Sequence, residues 1–206
     1  MRFLAGLAAV YLWLTPTSSF GDPPSEATSL RVPGYALPRP LTLQPFRLTD
    51  QHGNEFTRDH LSNRWTLLFF GYTHCPDVCP TTLAQLRAVT KLLSQDPDPV
   101  RPAVVFVSVD PRRDSARQLN AYLEPFGTDF TGVGGEPRAI EAFAQQFRAK
   151  YTIAGDTASA YLIDHTSAVA LINPNAELHA LFSVPLRPEA VAAEIRRLTK
   201  PSLTER

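Results

Sequence analysis

The chain has 206 residues, 44% of them hydrophobic, enough for one well-buried domain and short for two. Lys plus Arg and Asp plus Glu both number 20, so the chain carries no net charge. With no basic patch, nucleic acid is excluded as a partner.

In chain order, Met1-Arg2 is followed by the apolar run "FLAGLAAVYLWL" (Phe3 to Leu14), then by "TPTSS" and small residues at Ser19 and Gly21. A positive start, a short apolar stretch and a small-residue exit predict a secretory signal over residues 1–21. A dozen apolar residues fall short of the roughly 20 that span a bilayer, and an uncleaved anchor is the second reading. The mature chain is expected to be exported, to a bacterial periplasm or its equivalent. Residues 22–45 carry Pro23, Pro24, Pro33, Pro38, Pro40 and Pro45 among polar residues, a composition that predicts an extended tether. The folded domain is expected from Phe46 to residue 200, with 201–206 as a tail.

"RWTLLFFGY" (Arg64 to Tyr72) and "PAVVFVSVD" (Pro102 to Asp110) are apolar at consecutive positions, as strands buried on both faces are. Ile140, Phe143, Ala144 and Phe147 recur at helical spacing, and so do Val191, Ile195 and Leu198 after Pro188. "AVALINPNAELHALFSV" (Ala168 to Val184) reads as a hairpin about Asn173-Pro174-Asn175. The order strand, helix, strand, helix, hairpin, helix predicts an α/β domain of thioredoxin-like architecture, a mostly buried central sheet with helices on both faces.

Between the first buried strand and the helix expected to open at Pro80 lies "GYTHCPDVCPTTL" (Gly71 to Leu83), which holds both cysteines, Cys75 and Cys79. Proline suits a first helical position and disfavours helical geometry just before it, so Cys79 is expected near the N-cap. There the helix dipole would ease thiol ionisation. A purely structural disulfide would close so short a loop that it stabilises by only about 2 kcal/mol. Thiol–disulfide exchange usually uses two spacer residues, not three. The wider loop suits two sulfurs converging on a soft ion, Cu(I) or zinc, and an added imidazole would extend the site to Cu(II). Met1 is the only methionine, so a blue-copper centre with an axial Met and a Met-rich carrier are excluded.

Five histidines could supply the imidazole. His52 and His60 lie in polar loop sequence. His179 alternates with Leu178, Ala180 and Phe182 and is expected to point outward to solvent. His74 adjoins Cys75 and is read as tuning the thiol. His165, in "YLIDHTSAVALI", stands between apolar segments, and pattern alone leans to it over His74.

The three blocks "GYTHCPDVCPTTL", "SVDPRRDSARQL" and "YLIDHTSAVALINPNAELHALF" resemble, in order, the Sco (SenC/PrrC-like) family of copper-binding cytochrome c oxidase assembly proteins. The resemblance runs from about Phe46 to Leu198. It implies one copper, Cu(I) or Cu(II), held by Cys75, Cys79 and His165. The implied role is loading of the dinuclear copper site of cytochrome c oxidase subunit II, with a periplasmic copper donor and a thioredoxin-like reductant as further partners. A periplasmic thiol–disulfide reductase cycling Cys75 and Cys79 is the alternative. This chain reads Asp164-His165-Thr166-Ser167 where the family's block is closer to D-H-S. Asp110, at the end of its strand, is expected to orient a ligand or meet a partner. Asp77, between the cysteines, is either functional or a turn and capping residue.

Overall fold

The computed structural model describes residues 34–127, 129–149, 151–154, 162–165 and 168–200, so the expected signal and tail lie outside the described residues. Its centre is β4 (Thr66–Gly71), every residue of which is buried. Parallel to it runs β5 (Ala103–Ser108), in register from Thr66↔Ala103 to Gly71↔Ser108, and parallel to that runs β6 (Phe130–Gly134). The hairpin expected in the C-terminal third forms from β9 (Ala168–Ile172) and β10 (Glu177–Ser183), with β9 antiparallel to β4.

Six buried residues in a row require cover on both faces, and alternate side chains of β4 show what supplies it. Phe70 points to α3 (Pro137–Gln146), its ring 5.9 Å from Phe143 and 5.3 Å from Phe147. Gly71 points the other way, against Cys79 in α1 (Val78–Ser94). Beside α1 lies α4 (Pro188–Thr199), clamped by the bidentate pair Arg196–Asp96, with N–O distances of 2.7 and 3.0 Å. The fold class expected from the sequence is the one observed.

Several elements were not foreseen. Short β2 (Arg47–Asp50) and β3 (Glu55–Thr57) extend the sheet beyond β6, and α2 (Ala116–Leu123) packs near β6. With Gly34–Thr42 as β1, the sheet order among the described residues is β1-β10-β9-β4-β5-β6-β2-β3, and β7 (Tyr151–Ala154) and β8 (Leu162–His165) pair as a separate ribbon.

The expected tether needs correcting at its C-terminal end. Gly34–Thr42 is strand β1, paired antiparallel with β10 from Gly34↔Phe182 to Thr42↔Glu177. Prolines bar a central strand and not an edge strand. Pro38 and Pro40 sit where the β1–β10 register shifts, between Ala36 and Leu41. The folded part therefore extends N-terminal of Phe46, at least to Gly34.

Candidate metal centre

Strand β4 delivers the chain to the carboxyl edge of the sheet, the usual place for functional groups in α/β folds. The thiol loop begins there. Cys75 is half-buried and Cys79 fully buried, and no disulfide joins them. The backbone N–H of Cys79 donates to Cys75 Sγ at 3.4 Å, which brings the two residues together at the head of α1. Room for the second sulfur comes from Gly71: a Cβ there would lie 2.8 Å from Cys79 Sγ and 2.6 Å from the Phe106 ring.

The helix starts earlier than expected. Its N-cap is Asp77, so Cys79 is the second helical residue and Pro80 the third. Proline is still tolerated there, because the first four N–H groups of a helix have no intrahelical acceptor. The Asp77 carboxylate makes no capping hydrogen bond and is exposed, while the Cys75 sulfur receives a first-turn N–H in its place. Among the described contacts, Asp77 has neither the capping role nor a contact with a thiol.

The expectation of easy ionisation fails for Cys79. Burial pushes its thiol well above the ordinary value of 9.0, and the neighbouring Cys75 and Asp114 add to the shift. Desolvation outweighs the helix dipole. Left alone, this sulfur keeps its proton at neutral pH.

His165 ends β8, its backbone opposite Tyr151; its side chain lies outside the described residues. Topology nevertheless brings its strand to the thiols. Tyr72, the first residue after β4, is buried, and its hydroxyl accepts the N–H of Ile163 at 3.3 Å, two positions before His165. Further on, β9 begins beside the end of β4, with Val169 opposite Phe69. Burial raises the Tyr72 ionisation, and the nearby Cys75 and Cys79 thiols raise it too.

Asp110 follows β5 at the same edge. It is 2% exposed, so it cannot meet a partner directly; its carboxylate takes the Arg113 Nε–H at 2.5 Å. The Arg113 guanidinium in turn lies 5.8 Å from the Tyr72 ring centroid. Asp110 is thereby linked to the Tyr72 contact with β8, in keeping with an orienting role.

Asp114 was not singled out in the sequence and stands at the heart of the loop. Its side chain is fully buried and accepts from Thr73 N–H (2.9 Å), Thr73 Oγ1 (2.6 Å) and Ser108 Oγ (2.6 Å). His74 Nδ1 lies 3.0 Å from Thr73 Oγ1 and 3.6 Å from Asp114 Oδ1. The only sequence signal was its position four residues after Asp110, in the short turn between a buried strand and a helix.

The remaining histidines stand apart. His52 is exposed beside Asp50. His60, exposed as expected, also works structurally: its Nδ1 accepts the Thr57 N–H at 3.1 Å, and its ring stacks on Phe56. His179 points away from the Leu178 face as the alternation requires, yet it is only half-exposed. Trp65 covers it edge-on at 5.3 Å, and burial lowers its basicity. Among the described residues no three His, Cys, Asp or Glu side chains cluster as a metal site, so the two thiols stand as a pair.

The sequence profile described as SCO1/SenC matches residues 36–200. The chain belongs to the SCO1/SenC family. The match also starts inside the segment expected to be a tether, in agreement with strand β1. One member, SCO1 homolog 1 of Arabidopsis thaliana mitochondria, is 33% identical over 160 residues, 76% of this chain and 48% of that protein, so the chain matches about half that relative's length. Two solved SCO1/SenC-type structures resemble the fold closely. Arabidopsis thaliana ScoI with copper bound is 30% identical, with TM-score 0.71 over 75% of this chain and 95% of that one. Bradyrhizobium japonicum ScoI with copper bound is 35% identical, with TM-score 0.67 over 76% and 98%.

Proposed function

We propose that this protein carries one copper ion on Cys75, Cys79 and His165 and serves assembly of the dinuclear copper site in cytochrome c oxidase subunit II. The observation that carries the reading is the pair of cysteines brought together at the head of α1, in a fold whose solved relatives hold copper. Two thiolates are a soft donor set that suits Cu(I), and an imidazole extends it to Cu(II). Copper here is cargo. Loading it releases the proton of each thiol as the sulfur–metal bond forms, and the buried Cys79 gives up its proton only to such a competitor. A three-ligand, partly exposed site can pass the ion on to a better-coordinated acceptor.

An export signal over residues 1–21, expected from the sequence, supports a periplasmic protein, free or anchored by the N-terminal segment. A periplasmic copper donor and a thioredoxin-like reductant that keeps Cys75 and Cys79 as thiols complete the set of partners.

Elemental analysis of anaerobically reduced protein should give one copper per chain, and oxidation of the thiols to a disulfide should abolish binding. Stoichiometric copper in the Cys75→Ser, Cys79→Ser double variant would overturn the ligand assignment. His165→Ala should weaken Cu(I) modestly and remove the Cu(II)–thiolate absorption, because Cu(II) depends more on nitrogen donors. A strain carrying only the His165→Ala protein should fail to assemble oxidase. Full oxidase activity there, at normal protein level and without added copper, would instead support the dithiol reductase.

A further inference from the structure

A cleft of about 500 Å³ opens between strands β1 and β10 and the C-terminal end of α3. Leu37, Leu41, Leu178 and Leu181 from the strands and Phe147 from the helix end give it an apolar lining. Among the described residues three large apolar side chains stay exposed, and two of them, Tyr35 (60%) and Leu41 (48%), line this cleft. Two cations share the lining, Arg39 and Arg148, and no acidic residue does. Neither guanidinium has an ion-pair partner among the described residues.

Arg148 is there against the preference of its backbone. α3 ends in a Schellman turn, with Ala149 N–H returning to the Ala144 carbonyl at 3.1 Å and Arg148 N–H to that of Gln145 at 3.0 Å. Residue 148 takes φ 54°, in the left-handed region where a Cβ is strained and glycine is the usual choice. A cation also suits the negative end of a helix. The last turn of α3 holds no basic residue, however, so the dipole could have been met from an unstrained position. Strain of this kind collects at ligand sites, where a particular side chain is required despite it.

We propose that this cleft binds a small amphipathic anion, a carboxylate or phosphate on an aliphatic chain, with its apolar body on the leucines and its charge held by Arg39 and Arg148. Small-molecule sites are concave, mostly apolar cavities of roughly 300–1,000 Å³ with a few placed polar groups, and this cleft fits that description. A guanidinium matches a carboxylate or phosphate with two parallel hydrogen bonds. Two arginines in a concavity are too few for a bilayer surface, which is recognised by clusters of about four to eight basic residues. Pro38 and Pro40 remove backbone donors from β1, which disfavours an added peptide strand. The cleft also lies off the thiol edge: Leu178 pairs with Ile172, and Ile172 with Thr66 at the other end of β4. The inference is therefore independent of the copper reading.

Titration calorimetry of the reduced, metal-free protein with decanoate, kept below its micelle concentration, should show one site per chain. Decanol, with the same chain length and no charge, should bind about tenfold more weakly. Arg39→Gln and Arg148→Gly should each weaken decanoate about tenfold, and Arg148→Lys, which keeps the charge, should lose less. Arg148→Gly should at the same time raise the urea midpoint, because glycine relieves the left-handed backbone. Affinity lost while stability is gained separates a ligand-holding residue from a structural one. No binding of decanoate, equal binding of decanol, or unchanged affinity in both arginine variants overturns the proposal. So does flotation with phosphatidylglycerol vesicles by a protein that does not bind decanoate, which would assign the cleft to a bilayer. A dimer in analytical ultracentrifugation that Leu41→Glu disperses would place a second copy in the cleft and overturn it as well.

Discussion

Cys79 and Gly71 share one small volume at the end of β4, and the behaviour of the thiol pair follows from it. Cys79 is fully buried with its ionisation pushed up, while Cys75 is half-exposed and receives a helix N–H. Alkylation of the reduced, metal-free protein by iodoacetamide should therefore modify Cys75 first, with Cys79 following only when the loop opens. Peptide mass spectrometry at short times would show the order, and Cys79 labelled first would contradict it. Gly71→Ala places a methyl group 2.8 Å from the Cys79 sulfur and 2.6 Å from the Phe106 ring. Such overpacking typically costs about 1–3 kcal/mol, to be measured by urea unfolding. The displaced sulfur should also lower copper affinity, so an unchanged affinity would show that the loop absorbs the methyl group without moving the ligand.

Among the elements, the hairpin β9–β10 and the edge strand β1 test separate parts of the physics. Asn173 closes the hairpin turn: its Oδ1 accepts from Asn175 N–H at 3.0 Å and Glu177 N–H at 3.1 Å, and its Nδ2 donates to Glu177 Oε2 at 2.8 Å. Asn173→Ala leaves part-buried groups of the turn unpaired and should destabilise by about 1 kcal/mol. Because the turn follows Ile172, which pairs with Thr66 at the other end of β4 from the thiols, copper affinity should not change. Urea unfolding and a competition titration on the same variant would check both halves. The hairpin itself was legible from its alternation and its Asn-Pro-Asn turn. Strand β1 was not, because proline-rich composition describes a chain with few backbone donors and cannot say whether a neighbouring strand is present to pair with.

For the whole molecule, three buried acids at or near the thiol edge set the response to alkali. Burial raises the ionisations of Cys79, Tyr72 and Tyr122 above their ordinary values of 9.0 and 10.0. The folded state then holds protons that the unfolded chain releases. Their contribution to stability is complete below the ordinary thiol value and is lost as pH rises beyond it. The urea midpoint of the reduced, metal-free protein should fall between about pH 8.5 and 10.5, and in Cys79→Ser the fall should begin later, where the unfolded tyrosines titrate. A flat profile would mean that these groups are hydrated in solution. Copper should act in the opposite sense, since a ligand bound only by the folded state stabilises it by about 4 kcal/mol at a thousandfold excess over Kd. Calorimetry of the reduced protein with and without Cu(I) would show a higher Tm with the metal.

The sequence by itself determined the class of the fold, the two central strands, the last two helices, the hairpin and the thiol pair. Each of these rests on local pattern: consecutive apolar residues, helical spacing, a turn tripeptide, two cysteines in one short loop. Tertiary structure alone decided what surrounds the pair. That the Cys79 thiol resists ionisation depends on how deeply the sheet buries it, and its place at the helix N-terminus suggested the reverse. That Asp114, 41 residues after Thr73, is the carboxylate riveting the thiol loop depends on β4 and β5 lying side by side. That Trp65 covers His179 depends on the chain folding over a face that alternation marks only as the one away from the core. The physical reason is common to all three: burial and hydrogen-bond partners are properties of neighbours distant in the chain, and a local pattern carries no record of them.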